Sequence, residues 1–117
     1  MNIEELRNYC LSKTEVTEGF PFDETTLVFK VAGKIFCLTD LEGDLSVNLK
    51  NDPQKNEVLR DRYQAVKPGY HMNKLHWNTV EINNTIPDDI IKQLIDESYK
   101  SVVKSLSLKK QKELKQL

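Results

Sequence analysis

Over Leu27–Val31 and again over Leu45–Leu49 apolar side chains return at every second position, whereas on both sides of that stretch they return at every third or fourth. A period of two sets one side of an extended chain against a core, and a period near 3.6 does the same for a helix. A chain that changes period in this way folds as helices laid on a sheet. Leu27, Phe29 and Val31 alternate with Val28 and Lys30, Ala32-Gly33-Lys34 makes a turn, and Ile35 to Thr39 is a β-rich run. Asp40 to Asp44, with Gly43 free to take positive φ, turns the chain into Leu45, Val47 and Leu49 alternating with Ser46, Asn48 and Lys50. Three strands are therefore predicted to meander antiparallel.

The flanking segments read as helices. Asn2 followed by Glu5 has the form of a capping box, and Ile3, Leu6 and Cys10 recur at helical spacing, which predicts a helix over about 3–12. At Asp52-Pro53 a carboxylate can cap free amides and proline loses no bond it would have made, so a second helix is predicted from there to about Tyr63. Pro68-Gly69 breaks the chain, and a long loop rich in polar and aromatic residues runs to His76. Trp77 to Ile82 reads as a fourth strand with Val80 and Ile82 facing the core and Trp77, Thr79 and Glu81 on the other side. The last helix is expected over about 87–106, capped by Thr85 or Ile86, opened by Pro87, with Asp88 and Asp89 at its positive end. Its stripe is Ile91, Leu94, Ile95, Ser98, Val102 and Leu106. The fold class is α+β: a two-layer sandwich in the order α-β-β-β-α-β-α, an antiparallel sheet with helices packed on one face. Residues 1–106 form a single domain, followed by a lysine-rich tail over 107–117, and there is no internal repeat.

At 117 residues the chain buries one core. It has no apolar run of the roughly 20 residues that cross a bilayer, and Met1 to Arg7 lacks the features of a signal peptide, so a cytoplasmic protein is expected. The 17 Lys and Arg against 18 Asp and Glu exclude a protein that holds nucleic acid by bulk positive charge. Charge is nevertheless uneven: Ser98 to Leu117 carries six lysines and one acid, leaving an acidic body. Lysines there can meet phosphates or simply complement the end of a helix and keep a frayed tail in solution. Cys10 and Cys37 each sit in an apolar pattern and read as buried, reduced thiols. Neither they nor His71 and His76, five apart, have metal-ligand spacing, so no metal or cofactor is expected.

No nucleophile elbow, HExxH or phosphate-cradling glycine loop is present, and Cys37 between Phe36 and Leu38 would be an inert thiol. His71 or His76 could move a proton, but a loop histidine more often bonds a neighbouring carbonyl, so the expectation is a protein that is not an enzyme. What remains is a surface. The uncovered sheet face should expose Ser46, Asn48, Lys50, Thr79 and Trp77 beside the loop that carries Tyr70, His71, Asn73, Lys74 and His76. Aromatic rings stack bases, lysines meet phosphates and asparagine can read adenine, a collection suited to nucleic acid. The same residues also suit a binding module for a small ligand or protein partner anchored on Trp77, or a small second core that roofs the sheet.

The string Tyr70-His71-Met72-Asn73-Lys74-Leu75-His76-Trp77 resembles the signature of the bacterial MmcQ/YjbR family. The resemblance extends to Leu6, Arg7 and Tyr9-Cys10-Leu11, to Phe20-Pro21-Phe22, Gly33-Lys34-Ile35-Phe36, Leu49-Lys50 and Ser98-Tyr99. It implies a CyaY-like fold, shared in outline with frataxin, and a non-catalytic, DNA-binding role attributed to a double-wing arrangement of hairpins. By position, Asn73, Lys74, His76 and Trp77 match the signature and Lys50 the strand-end lysine. The implied roles are phosphate contact for Lys50 and Lys74, shaping or stacking for Trp77 and Tyr70, and orientation of the loop by Asn73 and His76. This chain has Leu75 where many relatives carry a basic residue, which removes one charge from the loop. Frataxin's iron chemistry does not carry over, because its acidic first helix is represented only by Glu4 and Glu5.

Overall fold

The capping box forms as its residues require. The Asn2 side chain accepts from the Glu5 amide at 2.8 Å, the Glu5 carboxylate accepts from the Asn2 amide at 3.3 Å, and α1 runs over Ile3–Leu11 with Leu6 and Cys10 buried. The structure, a computed structural model, describes residues 1–116. After α1 come β1 (Val16–Gly19), β2 (Thr26–Val31), β3 (Lys34–Asp40), β4 (Ser46–Lys50), α2 (Pro53–Arg62), β5 (Val66–Pro68), β6 (Trp77–Glu81), α3 (Asp88–Lys104) and α4 (Leu108–Gln116). The sheet has six strands in the order β1-β2-β3-β4-β6-β5, every pair antiparallel. The α+β architecture is the expected one, with two strands and one helix more than the sequence reading had. The added strands are the edges: β1 has no buried residue and β5 is three residues ending in proline, so neither carries a readable alternation.

The β2–β3 hairpin closes through Ala32 and Gly33, both at positive φ (48° and 83°), the pair of conformations that matches strand twist. Leu27, Phe29 and Val31 face the helices. In β3, Phe29 pairs with Cys37 and Lys30 with Ile35, so Phe36 is an extra residue in a bulge. Phe36 and Cys37 are consequently both fully buried, and the Phe36 ring meets Tyr99 of α3 edge-on at 5.4 Å. Between β3 and β4 the ladder is short, with only Cys37–Leu49 and Leu38–Asn48 in register. Ser98 of α3 fills the gap: its hydroxyl donates to the Phe36 carbonyl at 2.5 Å and accepts from the Lys50 amide at 2.8 Å. The core is completed by Val47, Leu49 and Val80 from the sheet and Ile91, Leu94, Ile95 and Val102 from α3.

Three local expectations are corrected. The N-cap of α3 is Pro87 and provides no side-chain bond, while the Thr85 hydroxyl donates to Asn83 in the preceding turn at 2.6 Å. The stretch expected as a frayed lysine-rich tail is α4, anchored by Leu114 in the core and by Lys110 between Glu15 (3.2 Å) and Glu113 (3.4 Å); of that tail, Leu117 lies outside the described residues. The segment from Pro68 to His76 is not wholly loop, since Val66–Pro68 adds to the sheet beside β6. Cys10 and Cys37 are buried free thiols with sulfurs 3.9 Å apart, and burial pushes the Cys37 thiol well above the usual range.

Candidate functional site

The loop between β5 and β6 is built around a buried amide ladder. Alternation along β6 puts Asn78 on the same side as Val80, facing the helices, where a polar side chain must find partners. It finds them in α2. The Asn78 amide donates to the Asn56 side chain (3.1 Å) and carbonyl (3.3 Å), and its oxygen accepts from Arg60 Nε at 2.7 Å. Asn56 in turn donates to the carbonyls of Asn51 and Leu75, both at 3.2 Å, and the Arg60 guanidinium reaches the Lys74 carbonyl. Asn56, Arg60 and Asn78 were missed by sequence reasoning. The signal was legible nonetheless: an asparagine in an inward position of a strand is a polar group that needs an answer from the facing element.

Six residues were singled out, and the structure divides them. Asn73 turns its side-chain oxygen inward to accept from the amides of Leu75 (2.9 Å) and His76 (3.3 Å), and Lys74 Nζ donates to the Gly69 carbonyl at 3.0 Å. Both hold the loop closed on itself. Trp77 lies directly across the ladder from Lys50, on the face away from the helices, half-buried, with Gly69 pressed so close that an added Cβ there would stand 2.8 Å from the Trp77 Cβ. Lys50 and His76 line one groove of about 560 Å³ that continues to Lys100 and Lys104 on α3. Its acids are engaged: Glu97 by Lys55 (3.7 Å) and Asn51 (3.4 Å), and Asp52 as the cap of α2 through the Gln54 amide (2.9 Å). Among the described residues, no carboxylate lies within ion-pair distance of Lys50, Lys100 or Lys104.

Tyr70 belongs elsewhere. Its amide donates to the Thr79 hydroxyl at 3.0 Å, which itself bonds Asn48, so the exposed ring stands over the open face of the sheet at a second and larger groove of about 740 Å³. That groove is bounded by the residues around Phe22, by the β3–β4 turn with Glu42 and Asp44, and by Tyr70 to Met72. It contains no lysine or arginine. Lys67 on the same face is paired with Glu81 at 2.6 Å. Of the cations expected beside Tyr70, Lys74 is turned onto the Gly69 carbonyl, and Lys50 lies with Lys100 and Lys104 in the other groove. Among the described residues, no three His, Cys, Asp or Glu side chains come together as metal ligands, and no helix is long and apolar enough to cross a membrane.

This architecture, one antiparallel sheet with its helices on one face and grooves on and beside the other, defines a small open-faced α+β protein. Within that class the family model described as YjbR matches residues 11–101, and the chain belongs to the YjbR family. It is 36% identical to the uncharacterised protein YjbR of Escherichia coli strain K12 over the full length of both chains. It is 41% identical to the uncharacterised protein YbdF of Escherichia coli O157:H7 over 82% of this chain and 80% of that one. The crystal structure of a Deinococcus radiodurans protein with the DUF419 domain superposes with a TM-score of 0.92 at 39% identity, covering 97% of this chain and 87% of that one. A Pseudomonas syringae crystal structure gives 0.73 at 26% identity, over 84% and 96%.

Proposed function

We propose that the protein is a non-catalytic, cytoplasmic DNA-binding module that meets phosphates at the groove where β4 ends against α3. The observation that carries this reading is the convergence of Lys50, Lys100 and Lys104, none of them in an ion pair among the described residues although Lys100 lies near enough to Asp96 to act on its carboxyl, with His76 in the same wall. Trp77, opposite Lys50 in the ladder, puts a half-buried ring on the open face next to that lysine, where a base can stack. Asn73 and Lys74 act indirectly by holding the loop that presents His76 and Trp77. Tyr70, tethered through Thr79, stands at the other groove and takes no part in this contact.

Three phosphate contacts give a shallow dependence on salt, with a log–log slope of about −3 on duplex. Anisotropy titrations of labelled duplex and single strands from low to moderate salt measure it. Replacing Lys100 and Lys104 together by Ala should flatten the slope by about two, since each lost phosphate contact removes close to one. Absence of binding at the lowest salt, or a slope unchanged in the double variant, would remove the reading.

A further inference from the structure

The larger groove, on the open face of the sheet, has a chemistry opposite to that of the phosphate-facing one. Its floor is Leu38 with the polar side chains of Asn48 and Thr79, and two exposed aromatic rings, Phe22 and Tyr70, stand at its margins. The Tyr70 ring is held there: its backbone is tied to Thr79, and its ring packs on His71 with centroids 4.0 Å apart. His71 itself occupies the left-handed region at φ 58°, a strained conformation for a residue of this kind, and it lies at the groove margin. Carboxylates of Asp23, Asp40, Glu42 and Asp44 supply all the formal charge in the lining. Asp23 is committed to Thr25 and Thr26, whose amides hold its carboxyl below the usual range, and Asp40 bonds the Glu42 amide at 2.8 Å. Glu42 and Asp44 have no side-chain hydrogen bond or ion pair among the described residues.

We infer that this groove is a binding site for a small organic cation, an amine on an apolar body. Charge complementarity selects the ammonium group, because carboxylates and aromatic faces both attract a cation while no lysine or arginine in the lining competes for it. Leu38 in the floor and the Phe22 and Tyr70 rings at the margins select the carbon skeleton. Its volume, about 740 Å³, lies in the range of small-molecule sites, and the surrounding turns bound it on several sides. A nucleic acid would be repelled here, so the site is independent of the DNA reading and stands or falls separately.

Spermidine, with its amines and methylenes, is the probe, titrated without DNA while backbone amide shifts are followed. Saturable shifts at Asn48, Thr79, Tyr70 and the turn at Glu42 to Asp44 are expected. The double variant Glu42→Gln, Asp44→Asn, both in an exposed turn, should weaken binding about tenfold, and Tyr70→Ala should weaken it several-fold, with thermal midpoints near that of the parent. Citrate, an anion of similar size, should shift none of these amides. The inference is overturned if spermidine at millimolar concentration leaves the groove amides unmoved. It is equally overturned if the double variant binds as tightly as the parent, which would mark a diffuse attraction to the acidic body.

Discussion

At the scale of single residues, the two most informative side chains are ones that touch no ligand in either reading. Asn78 is 2% exposed and Asn56 1%, and each satisfies the other. Truncating Asn78 to Ala leaves the Asn56 side-chain oxygen and Arg60 Nε without their partner, a cost of about 2–3 kcal/mol in urea unfolding. It should also blue- or red-shift the emission of Trp77, the sole tryptophan and the next residue in β6, because the loop before it loses its brace. A loss under ~0.5 kcal/mol would show that the ladder contributes nothing beyond an ordinary surface amide. Gly69 belongs to the same assembly. With no Cβ it admits the Trp77 Cβ and carbonyl, so its small size, and not a special φ, is what the site requires.

At the scale of elements, α1 is docked by polar as well as apolar groups. Tyr9 donates to Asp96 of α3 at 2.7 Å, and Lys13, just after α1, also bonds that carboxylate. Burial works to raise the Asp96 carboxyl, but hydrogen bonds from Lys13 and Tyr9 outweigh it and hold it below the usual carboxylate range. A depressed folded value means the contribution is complete above the unfolded pKa, near 4, and is lost as pH falls through the folded one. Tyr9 has the reverse sign. Burial, then the Asp96 bond, pushes its phenol up to about 12, so its contribution is complete below about pH 10 and disappears as pH rises toward 12. Asp96→Asn should therefore lower stability by about 1 kcal/mol near neutrality and by much less below about pH 3, measured by urea midpoints across pH. The other test concerns α4: Leu114→Ala should cost about 2 kcal/mol if that helix closes the core, and nothing if the segment frays. The lysines of α4 were legible as a solvated face, but its anchor was not. Leu114 has only Leu117 at helical spacing after it, too short a pattern to announce that it is buried.

For the whole molecule, sheet position orders local stability. Backbone amides of β2, β3, β4 and β6, paired on both sides, should exchange slowest with deuterium, and those of β1, β5 and α4 should open well before global unfolding, as mass-resolved exchange can establish. A uniform exchange rate across the sheet would contradict this. The same ordering explains what the chain discloses in its residues. Central strands carry alternation or a continuous apolar run because both of their neighbours and a helix layer constrain them, so β2 and β4 could be placed from spacing and β3 from its unbroken β-rich run. Edge strands are set by pairing with what is already there, and β1 and β5 carry no pattern of their own. The candidate site was legible in its residue types but not in its layout. Lys50 and Trp77 were rightly assigned to one face by alternation, whereas the joining of Lys50 to Lys100 and Lys104, and the separation of Tyr70 from them, depend on where α3 crosses the sheet.

Those two margins also decide how copies of the molecule behave toward one another. One offers four residues running into Gly19-Phe20-Pro21, and the other offers three that stop at a proline unable to donate. A neighbouring chain finds too little free backbone on either flank to zip onto, so concentrated solutions should resist growth into fibres even though no helix covers one side of the sheet.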